Sequence, residues 1–281
     1  MDAWDAYYYP GSNVLKNIPG LQTEEALRKF EYAVTRQNTE ELRENPVQGK
    51  FDTAHLREIH RRLFHEVYEW AGQFRTVDMI KDRSSFAPLS TPAHTLESWS
   101  DKILTDLKNE NHLKGLKTAE FVDRLTYHYG EINYAHPFRE GNGRATKEFL
   151  AQMGKEAGYQ IELDRVSAKT WNEAAARQLQ RDTDMVTDVF TKITLPSRAV
   201  AFRDEHIDDA VRRYPELQGT ANAMQAAEAK AATLHATNRR QFLANVQTQL
   251  LERLKAGELI QAPTPARDAP ETPRTPDRGG R

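Results

Sequence analysis

The sequence predicts a mainly α-helical fold that carries one small β-hairpin and ends in a helical extension. Three observations carry that expectation. Apolar residues recur at three- and four-residue steps through most of residues 23–196, and capping residues and glycines punctuate them at helix-length intervals. Only residues 72–88 read as two short segments around a polar turn, the pattern of a hairpin. Beyond Pro196 the composition turns charged and alanine-rich, and then proline-rich. The expected division is a main domain over 1–197, a helical extension over 198–260 and a disordered tail over 261–281.

The elements follow in order. Residues 1–20 hold Tyr7-Tyr8-Tyr9-Pro10-Gly11 and Pro19-Gly20, an irregular lead-in anchored by aromatic rings. Thr23 caps a helix that starts with Glu24 and Glu25 and runs to about Asn38. Asp52 opens a second, with Leu56, Ile59, Leu63 and Val67 as its buried stripe to about Ala71. His55, His60 and His65 lie on it, but a five-residue step turns each by about 140° net, so they share no face for a metal. They read as ordinary half-buried histidines. After the hairpin, Thr91 caps and Pro92 starts a helix through Leu96, Trp99, Ile103 and Leu107. Thr118 starts another through Phe121, Leu125, His128 and Ile132, with His128 read as a core histidine.

Ile161 and Leu163 make a short extended piece. Ser167 caps a helix containing Trp171 and Asn172, and a further helix runs from about Thr183 to Pro196. About six to eight helices are thus expected in the main domain. In the extension, Phe242, Val246, Leu250 and Leu254 form one amphipathic stripe closed by Gly257, which must dock in cis or on a partner. Five prolines in 261–281 predict disorder there.

Composition narrows the function. The 281 residues carry a formal charge of −2, so no global basic field exists to coat nucleic acid, and direct nucleic-acid binding is not expected. There is no cysteine, hence no disulfide and no Cys-ligated zinc. The acidic, aromatic start lacks the regions of a secretory signal, and no run is apolar enough to span a bilayer. A soluble, cytoplasmic bacterial protein is expected, with secretion into another cell as the alternative.

The chain is organised around His136-Pro137-Phe138-Arg139-Glu140-Gly141-Asn142-Gly143-Arg144, followed by Ala145-Thr146-Lys147. After Gly143, Phe149, Leu150, Met153 and Ala157 mark a helix that Gly158 stops. A glycine-bearing loop entering a helix N-terminus leaves backbone N–H groups pointing outward, a ready anion site. Arg144 and Lys147 share one face of the first turn, where cations oppose the dipole unless an anion lies between them. The residues describe a phosphate cradle with a base beside it; the bland alternative is a plain Gly-Asn-Gly turn.

His136-x-Phe138-x-Glu140-Gly141-Asn142-Gly143-Arg144 resembles the signature of the Fic family, whose members mostly transfer AMP from ATP to a hydroxyl of a target protein. The resemblance rests on residues 72–147 at the motif level and more loosely on about 1–196. It implies a Fic-type helical bundle in which the hairpin is a flap that registers the target's extended segment, here through Met79, Ile80, Lys81 and Phe86; Gly72-Gln73-x-Arg75 and Phe86-Ala87 look like that flap. The acceptor is a Tyr, Ser or Thr of the target protein and the electrophile the α-phosphate of ATP.

His136 then takes the role of base, and backbone N–H groups at Gly141, Asn142 and Gly143 join Arg144 and Lys147 in binding phosphate. Glu140, the only carboxylate in the loop, holds Mg²⁺, while Phe138 anchors the loop in the core. The family pattern commonly ends in a second Arg where this chain has Lys147, which keeps the charge without the bidentate fork. Contacts to the nucleotide base fall by resemblance in the last two helices of the main domain.

Many relatives are inhibited by a glutamate in a Ser/Thr-x-x-x-Glu-Gly/Asn helix. No such pattern occurs in the chain, so a toxin-type member held by a small separate antitoxin carrying that helix is expected. Alternatives are transfer of UMP, GMP, phosphate or phosphocholine on the same fold, or an idle interaction module.

Overall fold

The computed structural model describes residues 3–81, 84–91 and 94–261. It is mainly α-helical, and the described residues fall into two units: those up to 200 with 255–257, and 201–254 with 258–261.

In the first unit, α1 (Glu24–Glu44) begins at Thr23, whose hydroxyl accepts the Ala26 N–H, and α2 (Thr53–Phe64) begins at Asp52 in the same manner. Helix α2 stops at Phe64 rather than near Ala71. The apolar period continues through Val67 and Tyr68, but the N–H groups of both turn back onto the Phe64 carbonyl, while the Val67 carbonyl accepts from Ile18. Those side chains are buried from a turn, which periodicity alone cannot distinguish from a helix.

The hairpin is smaller than expected: β1 (Ile80–Lys81) pairs antiparallel with β2 (Ser84–Ser85), Ile80 opposite Ser85. Helix α3 (Leu96–Asn109) is capped by Thr95, not Thr91, because Thr95 and Ser98 form a reciprocal capping box. Pro92 lies outside the described residues. Then come α4 (Thr118–Ala135), α5 (Asn142–Glu156), β3 (Tyr159–Ile161), α6 (Ala168–Leu179) and α7 (Asp184–Ile193). Thr194–Pro196 leaves helical geometry and forms β4, which pairs antiparallel with β3. Pro196 cannot continue a helix, and Thr194 is β-branched and buried.

Helix α4 sits at the centre, packed by α3, α5, α6 and α7, while α2 joins α1 to α5. The core holds Phe64, Phe121, Phe138, Phe149 and Phe190. His128 is fully buried on α4, its Nε2 3.2 Å from Glu110. The signature segment links α4 to α5, so both ends of the loop are rooted in helices that contribute to the core.

The chain passes into the second unit within α8 (Ser197–Asp204), followed by α9 (Ile207–Arg213), α10 (Gln218–Ala232) and α11 (Ala236–Lys255). The stripe expected in the extension lies on α11: Leu250 and Leu254 are buried, Phe242 and Val246 half-buried. Gly257 ends it with φ of 83°. The proline-rich 262–281 lies outside the described residues. No described helix is long and apolar enough to cross a membrane.

Candidate active site

The loop is shaped by two left-handed residues. His136 ends α4 at φ 44°, ψ 57°, its N–H still bonded to the Ile132 carbonyl. A non-glycine residue there costs about 1–2 kcal/mol, a strain of the kind held at functional sites. Gly141 caps α5 at φ 81°, and a Cβ on it would stand 2.3 Å from Phe64 Cζ, so both backbone and packing demand glycine.

Gly143 differs. Its φ is unexceptional and a Cβ would meet no atom within 4 Å. Packing does not require glycine at Gly143; what its absent side chain leaves is clear approach to the backbone. Among the described residues, the N–H groups of Asn142 and Gly143 have no acceptor, as the first amides of α5.

The loop is braced from inside. The Asn142 side chain accepts the Phe138 N–H at 2.8 Å and donates to the Phe138 carbonyl at 2.7 Å, closing the turn. Its amide group is therefore committed to the fold, and only its backbone faces outward. Phe138 is 1% exposed and stacks 3.8 Å from the ring of His60. His60 Nδ1 accepts the Gly72 N–H at 2.9 Å, so Nε2 carries the proton and donates to the Glu140 carbonyl, also at 2.9 Å. Burial lowers its pKa to about 4, which keeps the imidazole neutral.

Arg75 ties the loop to the hairpin. Fully buried, it donates from Nε to the His136 carbonyl at 2.8 Å and from Nη1 to Val77 at 2.7 Å, and Nη2 reaches the carbonyls of Ala87 and Ala135. Its own N–H bonds Pro137 at 2.8 Å.

The tautomer of His136 follows from its neighbour in the chain. Its Nδ1 lies 3.3 Å from the Asn133 carbonyl, which can only accept, so Nδ1 bears the hydrogen and Nε2 is the basic nitrogen. Phe86 stacks on the imidazole at 3.7 Å and is 4% exposed. Its ring is thus packed on the histidine. The other three residues expected of the flap are Met79, Ile80 and Lys81. Of these, Met79 is half-buried and accepts the Phe86 N–H at 3.3 Å.

The charges near the loop divide into two groups. Arg144 donates from Nη2 to Glu31 at 2.6 Å and from Nη1 to Thr35 at 3.2 Å, with Phe64 under its guanidinium. Glu140 lies 3.7 Å from the same Nη2 and accepts the Gly141 N–H at 3.0 Å. Arg144 therefore stands between two carboxylates, and Glu31 is held on its other side by the Tyr68 hydroxyl. Lys147, one turn further on, is withdrawn over the Trp171 ring at 4.8 Å. Burial, the largest cause, lowers its pKa to about 8, with Glu148 opposing and Arg144 adding to the shift.

For a divalent cation, Glu140 is the half-buried carboxylate of the loop, and no group of three or more metal-ligating side chains occurs among the described residues. One carboxylate beside unpaired amides fits Mg²⁺, which keeps waters and takes its remaining ligands from substrate phosphates.

The structure thus gathers His136, Glu140, Gly141, Asn142, Gly143 and Arg144 on one loop. Glu31 and His60 carry no functional reading in the sequence, and Arg75 carries only that of the flap run Gly72-Gln73-x-Arg75. His60 shows only as one of three histidines out of phase. Glu31 carried no signal, because its partner is 113 residues away.

A profile of the Fic/DOC family matches residues 50–153. Protein adenylyltransferase VbhT of Bartonella schoenbuchensis is 39% identical over 65% of this chain, a match that spans 37% of VbhT. A probable protein adenylyltransferase Fic of Escherichia coli is 33% identical over 67% of this chain and 92% of its own length. Among solved structures, the N-terminal Fic domain of a VirB-translocated effector of Bartonella quintana, with bound ADP, superposes with a TM-score of 0.60 at 29% identity, covering 69% of this chain and 96% of that one. BepC of Bartonella tribocorum, with bound AMPPNP, gives 0.60 at 27% identity, covering 68% and 97%.

Proposed function

The chain belongs to the Fic/DOC family, and from that premise we propose that it is a protein adenylyltransferase acting through the loop from His136 to Arg144. One observation carries the reading: a histidine whose Nδ1 is pinned by a backbone carbonyl stands on the same loop as two unpaired amides and a carboxylate.

The reaction follows from that geometry. A Tyr, Ser or Thr hydroxyl of a target protein attacks the α-phosphate of ATP, and its proton passes to His136 Nε2. The bond from the α-phosphorus to the bridging oxygen breaks, AMP stays on the target and pyrophosphate leaves. Negative charge grows on phosphate oxygens, where the N–H groups of Asn142 and Gly143 meet it at the positive end of α5; one such donor is worth about 3 kcal/mol. Arg144 supplies a cation already oriented by Glu31 and Glu140. Glu140 would hold Mg²⁺, which when bound screens the phosphate charge. Lys147 serves the outer phosphates, and Met79, Ile80 and Lys81 register the target strand by edge pairing.

Control follows from an absence in sequence. Glu44-Asn45, Glu110-Asn111 and Glu140-Gly141 are preceded four residues back by Glu40, Asp106 and His136, so none completes the Ser/Thr-x-x-x-Glu-Gly/Asn pattern. The protein is then a toxin-type member working in the bacterial cytoplasm and restrained by a separate antitoxin that carries the helix; delivery into another cell is the alternative.

The test is mass spectrometry of a bacterial lysate incubated with the purified chain, ATP and Mg²⁺. Added AMP on hydroxyl side chains is expected; added phosphate or no change refutes the reading. His136→Ala should lower the transfer rate by about 10²–10⁴-fold while AMPPNP still binds.

A further inference from the structure

The segment ahead of α1 has no part in the reaction just described, yet it touches both walls of the site. It is a closed loop in its own right: Tyr8 bridges to Leu15, the Tyr9 N–H bonds Val14 at 3.1 Å, and the Lys16 N–H bonds Tyr7 at 2.8 Å. Asn17 fastens its end, donating to the carbonyls of Leu15 and Leu21 at 2.8 Å each.

One link runs to the phosphate loop. Arg139 lies between Phe138 and Glu140 and is only 8% exposed. Its guanidinium sits 5.0 Å from the Trp4 ring, 5.9 Å from Tyr7 and 5.3 Å from Tyr8, and Nη2 donates to the Tyr8 hydroxyl. Among the described residues no carboxylate pairs with it, and its Nε is buried without a partner. A desolvated cation without a counter-ion is costly, so the ring faces are what make this placement tolerable.

The second link runs to the hairpin. The Tyr7 hydroxyl accepts the Thr76 N–H at 3.0 Å and shares a hydrogen bond with Thr76 Oγ1 at 3.1 Å. Thr76 follows Arg75 at the hairpin's root. Tyr7 also stands edge-on to Trp70 at 5.9 Å, which fixes the ring that carries the hydroxyl.

We propose that residues 4–17 are a strap that sets the spacing between the hairpin and the phosphate loop, with Tyr7, Tyr8 and Arg139 as positioning residues for group transfer. Adjacent tyrosines reach opposite walls, so moving the strap moves the walls together. The walls carry different cargo, target strand on one and nucleotide on the other. The strap therefore governs how well the acceptor hydroxyl meets the phosphorus more than it governs nucleotide affinity. The inference deepens the adenylyltransferase reading and rests on it for the rate measurement below, but the mechanical claim is independent of it.

The experiment uses the full chain and three variants: Tyr7→Phe, which removes a hydroxyl without changing bulk, Arg139→Met, and Arg139→Lys. Amide hydrogen exchange is followed over 74–81, 84–89 and 136–144, with AMPPNP titrated in parallel. Tyr7→Phe and Arg139→Met should each raise exchange in both walls, with AMPPNP affinity falling by less than the rate does. The saturating rate of AMP incorporation into lysate protein should fall about tenfold to a hundredfold, as expected for a slight misplacement of reacting groups. Arg139→Lys, which keeps a cation among the rings, should restore most of the rate.

Faster exchange confined to residues 3–21 overturns the proposal. So does a KM for ATP that rises in step with the rate loss, or a lysine that rescues nothing. If the unaltered chain transfers no AMP while both walls still respond together, the strap stands and the reading of the reaction falls.

Discussion

The loop from His136 to Arg144 and the hairpin are joined by Arg75 and by Phe86 on His136, and they are built to opposite standards. The loop is held by side chains from three directions: Asn142 closes it from within, His60 grips the Glu140 carbonyl from α2, and Arg75 grips the His136 carbonyl. The hairpin has a ladder of two residue pairs, its root held by Arg75 and by the Ala87 N–H on the Tyr134 carbonyl. A two-stranded ribbon this short is not stable by itself. The difference teaches what each wall must do. Under the proposed function, phosphates of one geometry would reward a rigid cradle, and an extended segment of a target would be met by a backbone edge that can adjust.

Breaking the loop from within should have the largest effect. Asn142→Ala removes two buried hydrogen bonds and leaves the Phe138 N–H and carbonyl unsatisfied, a cost of about 2–4 kcal/mol. The expected result is a lower denaturation midpoint together with loss of both AMPPNP binding and AMP transfer. Retained AMPPNP affinity in a folded Asn142→Ala protein would mean the cradle does not depend on this closure.

Arg75 joins the two walls, so its loss should strike both at somewhat smaller cost to the nucleotide. Arg75→Met deprives the carbonyls of His136, Val77, Ala87 and Ala135 of a donor. Stability should fall by about 3 kcal/mol, and transfer should fall further than AMPPNP affinity, because the His136 end of the loop loosens while the α5 amides remain. Equal losses in the two would place Arg75 on the cradle side of the comparison alone.

How much of this was legible beforehand differs between the walls in the same manner. The loop announced itself because its requirements are local: Gly141 for a left-handed turn, Gly143 for an open backbone, and His136, Glu140 and Arg144 at fixed offsets. The mainly helical fold was legible from periodicity, and so were most of its caps. Braces from elsewhere in the chain were not. Glu31 and His60 act over separations of 113 and 80 residues, and a lone carboxylate or an out-of-phase histidine carries no mark of its partner. Phe86 belongs by resemblance to the flap, and nothing in its local sequence marks the stacking of its ring on His136. The β3–β4 ladder escaped notice because three-residue strands carry too few alternations to count.

Lys147 tests the rim of the rigid wall. Its folded-state pKa, about 8, lies below the ordinary lysine value because of burial. As pH rises through about 8 the folded protein loses this charge, while the unfolded chain keeps its proton until about 10.4. The unfolded state thus binds more protons in that window, so Lys147 makes folding stability rise with pH there. Nucleotide affinity should move the other way, weakening above about pH 8 as the cation beside the outer phosphates is neutralised. Lys147→Arg should remove this pH dependence, since a guanidinium stays charged throughout. Titrating AMPPNP between pH 7 and 9.5, a range bracketing that value of about 8, checks it; identical slopes in the two proteins would remove Lys147 from the phosphate site.

The smallest effect belongs to the adaptable wall. Met79 is half-buried, its carbonyl receives the Phe86 N–H, and its side chain stands next to β1. Met79→Ala keeps that backbone bond and removes only flexible apolar surface, so folding and AMPPNP affinity should be unchanged. What should change is the concentration of target protein that half-saturates transfer, rising about two- to tenfold, the share of roughly 1 kcal/mol from one partly buried side chain. The direction matters more than the size. A loss confined to the target's half-saturating concentration assigns the hairpin to protein recognition, whereas a loss in the saturating rate would mean that this wall, like the loop, holds reacting groups in register.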